Sequence, residues 1–151
     1  MCEYCGCRQV EPIAELMDEH LTLLDLAGNL RRALLAGDLD AARPLRERLL
    51  LLLTAHVGIE EAGIFAALRA QGDYADAVDE LEQEHVGLDA LFTSLDLDSP
   101  GVLDGLDRAI GDLREHIDKE DLGVFPVAVV TLGATGWDVV DAARAARRTT
   151  V

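Results

Sequence analysis

Apolar residues recur at alternating spacings of three and four along most of the chain, the pattern of helices with one buried face. In the first segment Ile13, Leu16, His20, Leu23, Ala27, Leu30 and Leu34 step by 3, 4, 3, 4, 3 and 4. Gly37 ends that segment, and Asp38 or Asp40 is placed to cap the next. The second segment runs through Leu45, Leu49, Leu52, His56, Ile59, Gly63 and Ala67. Pro44 lies near its start, where a missing N–H costs least. Gly72 and Asp73 make the following break, and a third segment carries Val78, Leu81, His85, Leu88, Phe92 and Leu95. Ser99-Pro100 reads as an N-cap with proline at the first helical position. The fourth segment carries Leu106, Ala109, Leu113, His116 and Glu120, with Pro126 set to kink its end and Gly133 and Gly136 to break it. Residues 137–148 read as a short separate helix.

Four long helices with short connections predict an all-α fold: an antiparallel up-down-up-down four-helix bundle with a short C-terminal helix. Composition agrees, because half of the 151 residues are hydrophobic and only 4% are aromatic. One domain is expected over 10–151. A Cys-rich tail, 1–9, precedes it and holds Cys2, Tyr4, Cys5 and Cys7. Three clustered cysteines are one ligand short of a tetrahedral zinc site and are not a disulfide framework. A homodimer pooling six cysteines, one disulfide with a spare thiol, and a reduced tail without a role all remain open.

Charge narrows the partners. Thirteen basic residues against 29 acidic ones give a net charge of −16. Such a surface repels phosphate backbones and anionic lipid and attracts cations, so neither nucleic acid nor membrane is an expected partner. The N-terminus has no basic region followed by an apolar one. The longest dense apolar run, 49–55, falls far short of the roughly 20 residues that span a bilayer. The expectation is a cytoplasmic protein, monomeric or homodimeric.

The chemistry lies in the histidines. The chain has four, His20, His56, His85 and His116, and each falls in the apolar register of a different helix. Buried polar groups need partners, and four inward imidazoles supply one another with few. A shared metal resolves this. The context around His56 is HVGIEEAGIF and around His116 is HIDKEDLGVF, while His20 and His85 sit in DEHLTLLDL and QEHVGLDAL. The chain is thus an internal duplication of two helix pairs, offset by 60 to 65 residues. His-x-x-x-Glu sets both side chains on one helix face, so His56 with Glu60 and His116 with Glu120 can reach one site. Four imidazoles and two carboxylates suit iron, manganese or zinc. Buried ion pairs without a metal are the competing reading, and the repulsion of two adjacent buried carboxylates weighs against it.

These residues, in this order and spacing, resemble the hemerythrin-like (HHE cation-binding) family over roughly residues 13–130. The resemblance implies metal ligands His20, His56, Glu60, His85, His116 and Glu120. It implies two irons about 3.5 Å apart, joined by both carboxylates and a bridging oxo or hydroxo group. His20 and His56 would serve one iron, and His85 and His116 the other. Zinc or manganese could substitute. The oxygen-carrying members have a fifth histidine one turn before the third-helix histidine, where this chain has Leu81. Their final acid lies five residues after its histidine, where this chain has Asp121. Asp121 and its counterpart Glu61 are therefore runner-up ligands, rotated about 100° from Glu120 and Glu60 on an α-helix.

Ligand number then bears on function. Two imidazoles, two shared carboxylates and one bridging oxygen leave a sixth position open on each iron. That suits peroxide, oxygen or nitric oxide as the small ligand. No general base or nucleophile is evident, so enzyme status stays open. The alternatives are an iron-storage or iron-sensing module without turnover, and a structural bundle with an incidental zinc. Glu82-x-x-His85 matches half of a ferritin-like di-iron signature that needs two copies. Phe65 and Phe125 occupy equal positions in the two repeats and are expected in the core beside the metal pocket.

Overall fold

The computed structural model describes residues 6–150. After a 3-10 turn, Cys7–Gln9, helix α1 spans Glu11–Leu35 and α2 spans Leu39–Gln71. Helix α3 is Ala75–Thr93. Helix α4 runs from Val102 to Thr131, and α5 is Ala134–Thr150. No strand occurs among the described residues. Helices α1 and α3 each pack on both α2 and α4, which is the neighbour pattern of an antiparallel four-helix bundle.

The connections follow local chemistry. Gly37 adopts φ 70°, in the left-handed region that favours glycine, and turns the chain out of α1. The Asp38 carboxylate then accepts from the Ala41 N–H at 3.0 Å and caps α2. Gly72, at φ 86°, closes α2 in the same way as Gly37 closes α1.

Two expected boundaries are corrected. Helix α4 starts at Val102 with Gly101 as its cap, because Ser99 spends its hydroxyl on the Gly101 N–H inside the preceding turn. Gly136 lies inside α5 rather than breaking the chain. A Cβ there would come within 2.9 Å of the Leu132 side chain, so this glycine serves close approach. The C-terminal helix is correspondingly longer than the stretch 137–148.

The buried apolar residues form two clusters separated by a polar layer. Along α1 the order is Ile13, Leu16 and Met17, then His20, then Leu23 to Leu34. Along α2 it is reversed: Leu49 and Leu53 join the cluster of Leu23 to Leu34, His56 and Glu60 follow, and Ile64, Phe65 and Leu68 join the cluster of Ile13, Leu16 and Met17. Helices α3 and α4 repeat this alternation. Antiparallel packing therefore lines up the four histidines at one level of the bundle. Helix α2 is long and apolar enough, by length and composition, to cross a membrane. Here its inward face is packed into both clusters and carries His56 and Glu60 through the polar layer.

Each His-x-x-x-Glu motif runs directly into a π-helical turn, Glu61–Phe65 in α2 and Glu120–Val124 in α4. Pro126 follows the second turn but Ala66 follows the first, so proline is not their common cause. Each contains a glycine, Gly63 or Gly123, where α-helical preference is weakest. The i→i+5 bonding of a π turn brings residues five apart toward one face. Glu60 with Phe65, and Glu120 with Phe125, are accordingly all fully buried.

Cys7 is fully buried in the apolar cluster of Ile13, Leu16 and Phe65, and it is disulfide-bonded. This replaces the reading of the cysteine segment as a wholly reduced tail. Cys2, Tyr4 and Cys5 lie outside the described residues.

Candidate metal centre

All six sequence-selected residues meet at the polar layer. Two groups of potential ligand atoms form there, His20, His56, Glu60 and Glu120 in one, and His85, His116, Glu60 and Glu120 in the other. Within each group the atoms lie within 4.8 Å of one another. The glutamates belong to both groups, and their oxygens divide between them. Glu60 Oε1 lies 3.0 Å from His56 Nε2 and 3.5 Å from His20 Nε2, while its Oε2 lies 3.4 Å from His85 Nε2. Glu120 Oε2 lies 3.1 Å from His20 Nε2, while its Oε1 lies 3.2 Å from His116 Nε2 and 3.6 Å from His85 Nε2. Each carboxylate thus presents one oxygen to each half of the site.

These short contacts are not hydrogen bonds. Both oxygens of Glu60 and Glu120, and Nε2 of His20, His56 and His85, are buried without a hydrogen-bond partner. Orphaned buried polar atoms are costly, and so many at one point call for a cation. Borderline imidazole nitrogen and hard carboxylate oxygen are donors that iron, zinc and manganese accept. The residues present therefore fit a metal centre.

The other ring nitrogens fix the imidazoles. His20 Nδ1 pairs with Asp121 at 2.8 Å, and His56 Nδ1 with Glu19 at 2.8 Å. His85 Nδ1 pairs with Glu61 at 2.9 Å, and His116 Nδ1 with Glu84 at 2.8 Å. A carboxylate accepting from Nδ1–H sets the tautomer that leaves Nε2 free to face a metal. The rings form two matched edge-on pairs, His20 with His56 and His85 with His116, each at 4.7 Å between centroids. Phe125 stacks on His20 at 5.7 Å, and Phe65 on His85 at 5.5 Å, so each phenyl walls the site against water.

The same contacts shift the protonation of these groups. Burial pulls the His20 imidazolium down, but Asp121, Glu120 and Glu60 outweigh it and push its pKa up to about 12. The same contest ends near 9 for His56, where Glu60 and Glu19 win, and near 10 for His85, where Glu120 and Glu60 win. His116 is also raised, burial being outweighed by Glu120 and Glu84. Burial pushes Glu60 up, yet His56, His20 and His85 hold it well below the usual carboxylate range. Glu120 is raised by burial and by the Glu60 charge, and His116, His20 and His85 bring it to about 2. The carboxylates thus favour positive charge on the imidazoles, and a cation bound there would compete with those protons.

The hemerythrin HHE cation-binding domain family matches the chain over residues 11–128. The chain belongs to this family. The family implies a metal-binding helical domain with a His/Glu site, and the two His/Glu groups of this bundle are compatible with one. Comparison with curated proteins and with solved structures gave no match.

Two features of this hemerythrin-like centre were not read from the sequence. The runner-up acids Asp121 and Glu61 lie outside the cluster, on the Nδ1 atoms of His20 and His85. Glu19 and Glu84 complete that outer layer, and their only sequence signal is the shared Glu-His step before His20 and His85. Two of the outer acids are held in turn by cations. Arg147 of α5 donates to Glu19 at 2.5 Å, and Lys119 donates to Glu84.

Proposed function

We propose that the protein is a non-haem di-iron protein that binds, senses or reacts with oxygen, peroxide or nitric oxide. The observation that carries this reading is the division of the Glu60 and Glu120 oxygens between two histidine pairs, which suits two metal positions side by side. Two irons there would supply one-electron redox chemistry and open coordination positions for a small ligand.

What the chain itself does is positional. Four Nδ1 carboxylates hold the imidazoles, and Phe65 and Phe125 keep bulk water from their faces. Leu81 lies one turn before His85 on the buried face, and its repeat counterpart Leu16 lies one turn before His20. Neither offers a ligand, so among the described residues each metal position would receive two imidazoles and the shared carboxylates. Metals held by His20, His56, His85, His116 and the shared Glu60 and Glu120 would have room for a small ligand on both sides of the site, which suits peroxide or nitric oxide chemistry better than reversible oxygen carriage.

Metal analysis of anaerobically purified protein, followed by stopped-flow optical spectra on exposure to oxygen, peroxide and nitric oxide, tests the reading. Two irons per chain and repeated turnover of peroxide or nitric oxide are expected. A single metal in a fully loaded preparation would remove the di-iron reading. Two irons without turnover would leave the storage or sensing alternative.

A further inference from the structure

The internal duplication gives the bundle two equivalent grooves beside the π turns, and α5 covers one of them. In the first, Glu15 and Leu16 of α1 face Ile64 of α2. Helix α5 lies across it with Val140 and Ala143 over Gly63, where an added Cβ would meet Ala143 Cβ at 3.4 Å and Val140 Cα at 3.5 Å. Arg144 pairs with Glu15 at 2.6 Å, and Arg147 with Glu19 at 2.5 Å.

In the second groove the equivalent residues are Glu80, Leu81 and Val124, and Gly123 stands for Gly63. With Val127 and Lys119 they line an open, mainly apolar cavity of about 290 Å3. A Cβ on Gly123 would meet nothing within 4 Å. Lys119 pairs with Glu80 at 3.3 Å on the lining of this cavity and with Glu84 one turn further along α3. Val130, three residues beyond Val127, extends the apolar strip and is 84% exposed.

We propose that this second groove docks a basic amphipathic helix of a partner protein, with small apolar residues over Gly123 and arginines directed at Glu80 and Glu84. The chain displays on its first groove the kind of element that such a floor and acid pair accept, an apolar helix stripe with basic residues one turn apart. Charge selects the occupant further. A protein of net charge −16 draws a basic helix and repels a second copy of itself, and its own α5 is already seated on the first groove. An incoming arginine at Glu84 would lie one carboxylate away from His116. The groove stands whichever metal the centre takes.

A fluorescein-labelled peptide of residues 134–150, the helix that fits the first groove, provides the probe. Titrated into the full-length protein at low ionic strength and read by anisotropy, it should bind saturably with one peptide per chain. Gly123→Phe, which fills the groove, should weaken binding at least tenfold. So should R144A/R147A in the peptide. Gly111→Phe, elsewhere on the exposed surface of α4, should leave it unchanged. Val127→Glu is the second groove variant, and melting curves verify that both groove variants fold. Absence of binding, or undiminished binding to both groove variants, would overturn the proposal. A dimer seen by light scattering and abolished by Gly123→Phe would also overturn it, by assigning the groove to a second copy.

Discussion

Loading the metal-free centre with a divalent ion should release about three to four protons per two ions at pH 7. The figure follows from the buried imidazoles. At the ordinary value of 6.5 a histidine is roughly one-quarter protonated at pH 7, so four of them would release about one proton in total. Here His20, His85 and His56 are held near 12, 10 and 9, so all three carry a proton at pH 7, and His116 is raised as well. Two divalent ions bring the same charge as four protons. The exchange therefore leaves the charge facing Glu60 and Glu120 unchanged, and affinity should depend strongly on pH. Calorimetric titration with zinc, or with ferrous ion under anaerobic conditions, in two buffers of different ionisation enthalpy gives the proton count directly. Release should decline above pH 9 as His56 loses its proton in the free protein. One proton or fewer at pH 7 would show that the imidazoles are already neutral, and the charge-exchange account would fail.

Other expectations follow from the same geometry. Glu60→Ala removes a carboxylate that both metal positions share and should lower occupancy at both, whereas His85→Ala should spare the His20–His56 position; metal content per chain by mass spectrometry separates the two. Histidines raised in the folded state stabilise it fully below pH 6.5 and lose that contribution as pH rises through 9 to 12, so the melting temperature of the metal-free protein should fall between pH 7 and 10. Metal-loaded protein, which holds its imidazoles neutral with the proton on Nδ1, should show little of that decline, and parallel curves for the two forms would contradict the assignment. Leu81→His adds a fifth imidazole one turn before His85 and should slow peroxide or nitric oxide turnover; a structure showing that imidazole ligated at an unchanged rate would refute the open-position argument.

The inner residues of the centre were legible because they contradict their surroundings. An imidazole in an apolar stripe is a local conflict, and four such conflicts at matching heights have one common resolution. The outer layer was not legible for the opposite reason. Glu19 and Glu84 are acids among 29 acids, and spacing does not mark which of them turns toward an imidazole. The π turns leave only a glycine as a trace. In the five-leucine run 49–53 periodicity carries no information, and the helix buries Leu49 and Leu53 while leaving Leu51 73% exposed. Ser99-Pro100 misplaced the start of α4 because the serine hydroxyl serves the turn and not the helix.

The Nδ1 pairs form a closed circuit around the bundle. His56 of α2 pairs with Glu19 of α1, His85 of α3 with Glu61 of α2, His116 of α4 with Glu84 of α3, and His20 of α1 with Asp121 of α4. Two of these links lie within a helix pair and two join the pairs. Glu60 and Glu120 likewise each face histidines from both pairs. Neither half of the duplication can therefore set its own imidazoles or complete its own ligand set. A cation that binds this arrangement and not the unfolded chain stabilises the packing of one pair on the other, and not merely the helices that supply its nearest ligands. The polar layer that interrupts the core is thus the point at which metal occupancy and the assembly of the whole bundle become one equilibrium.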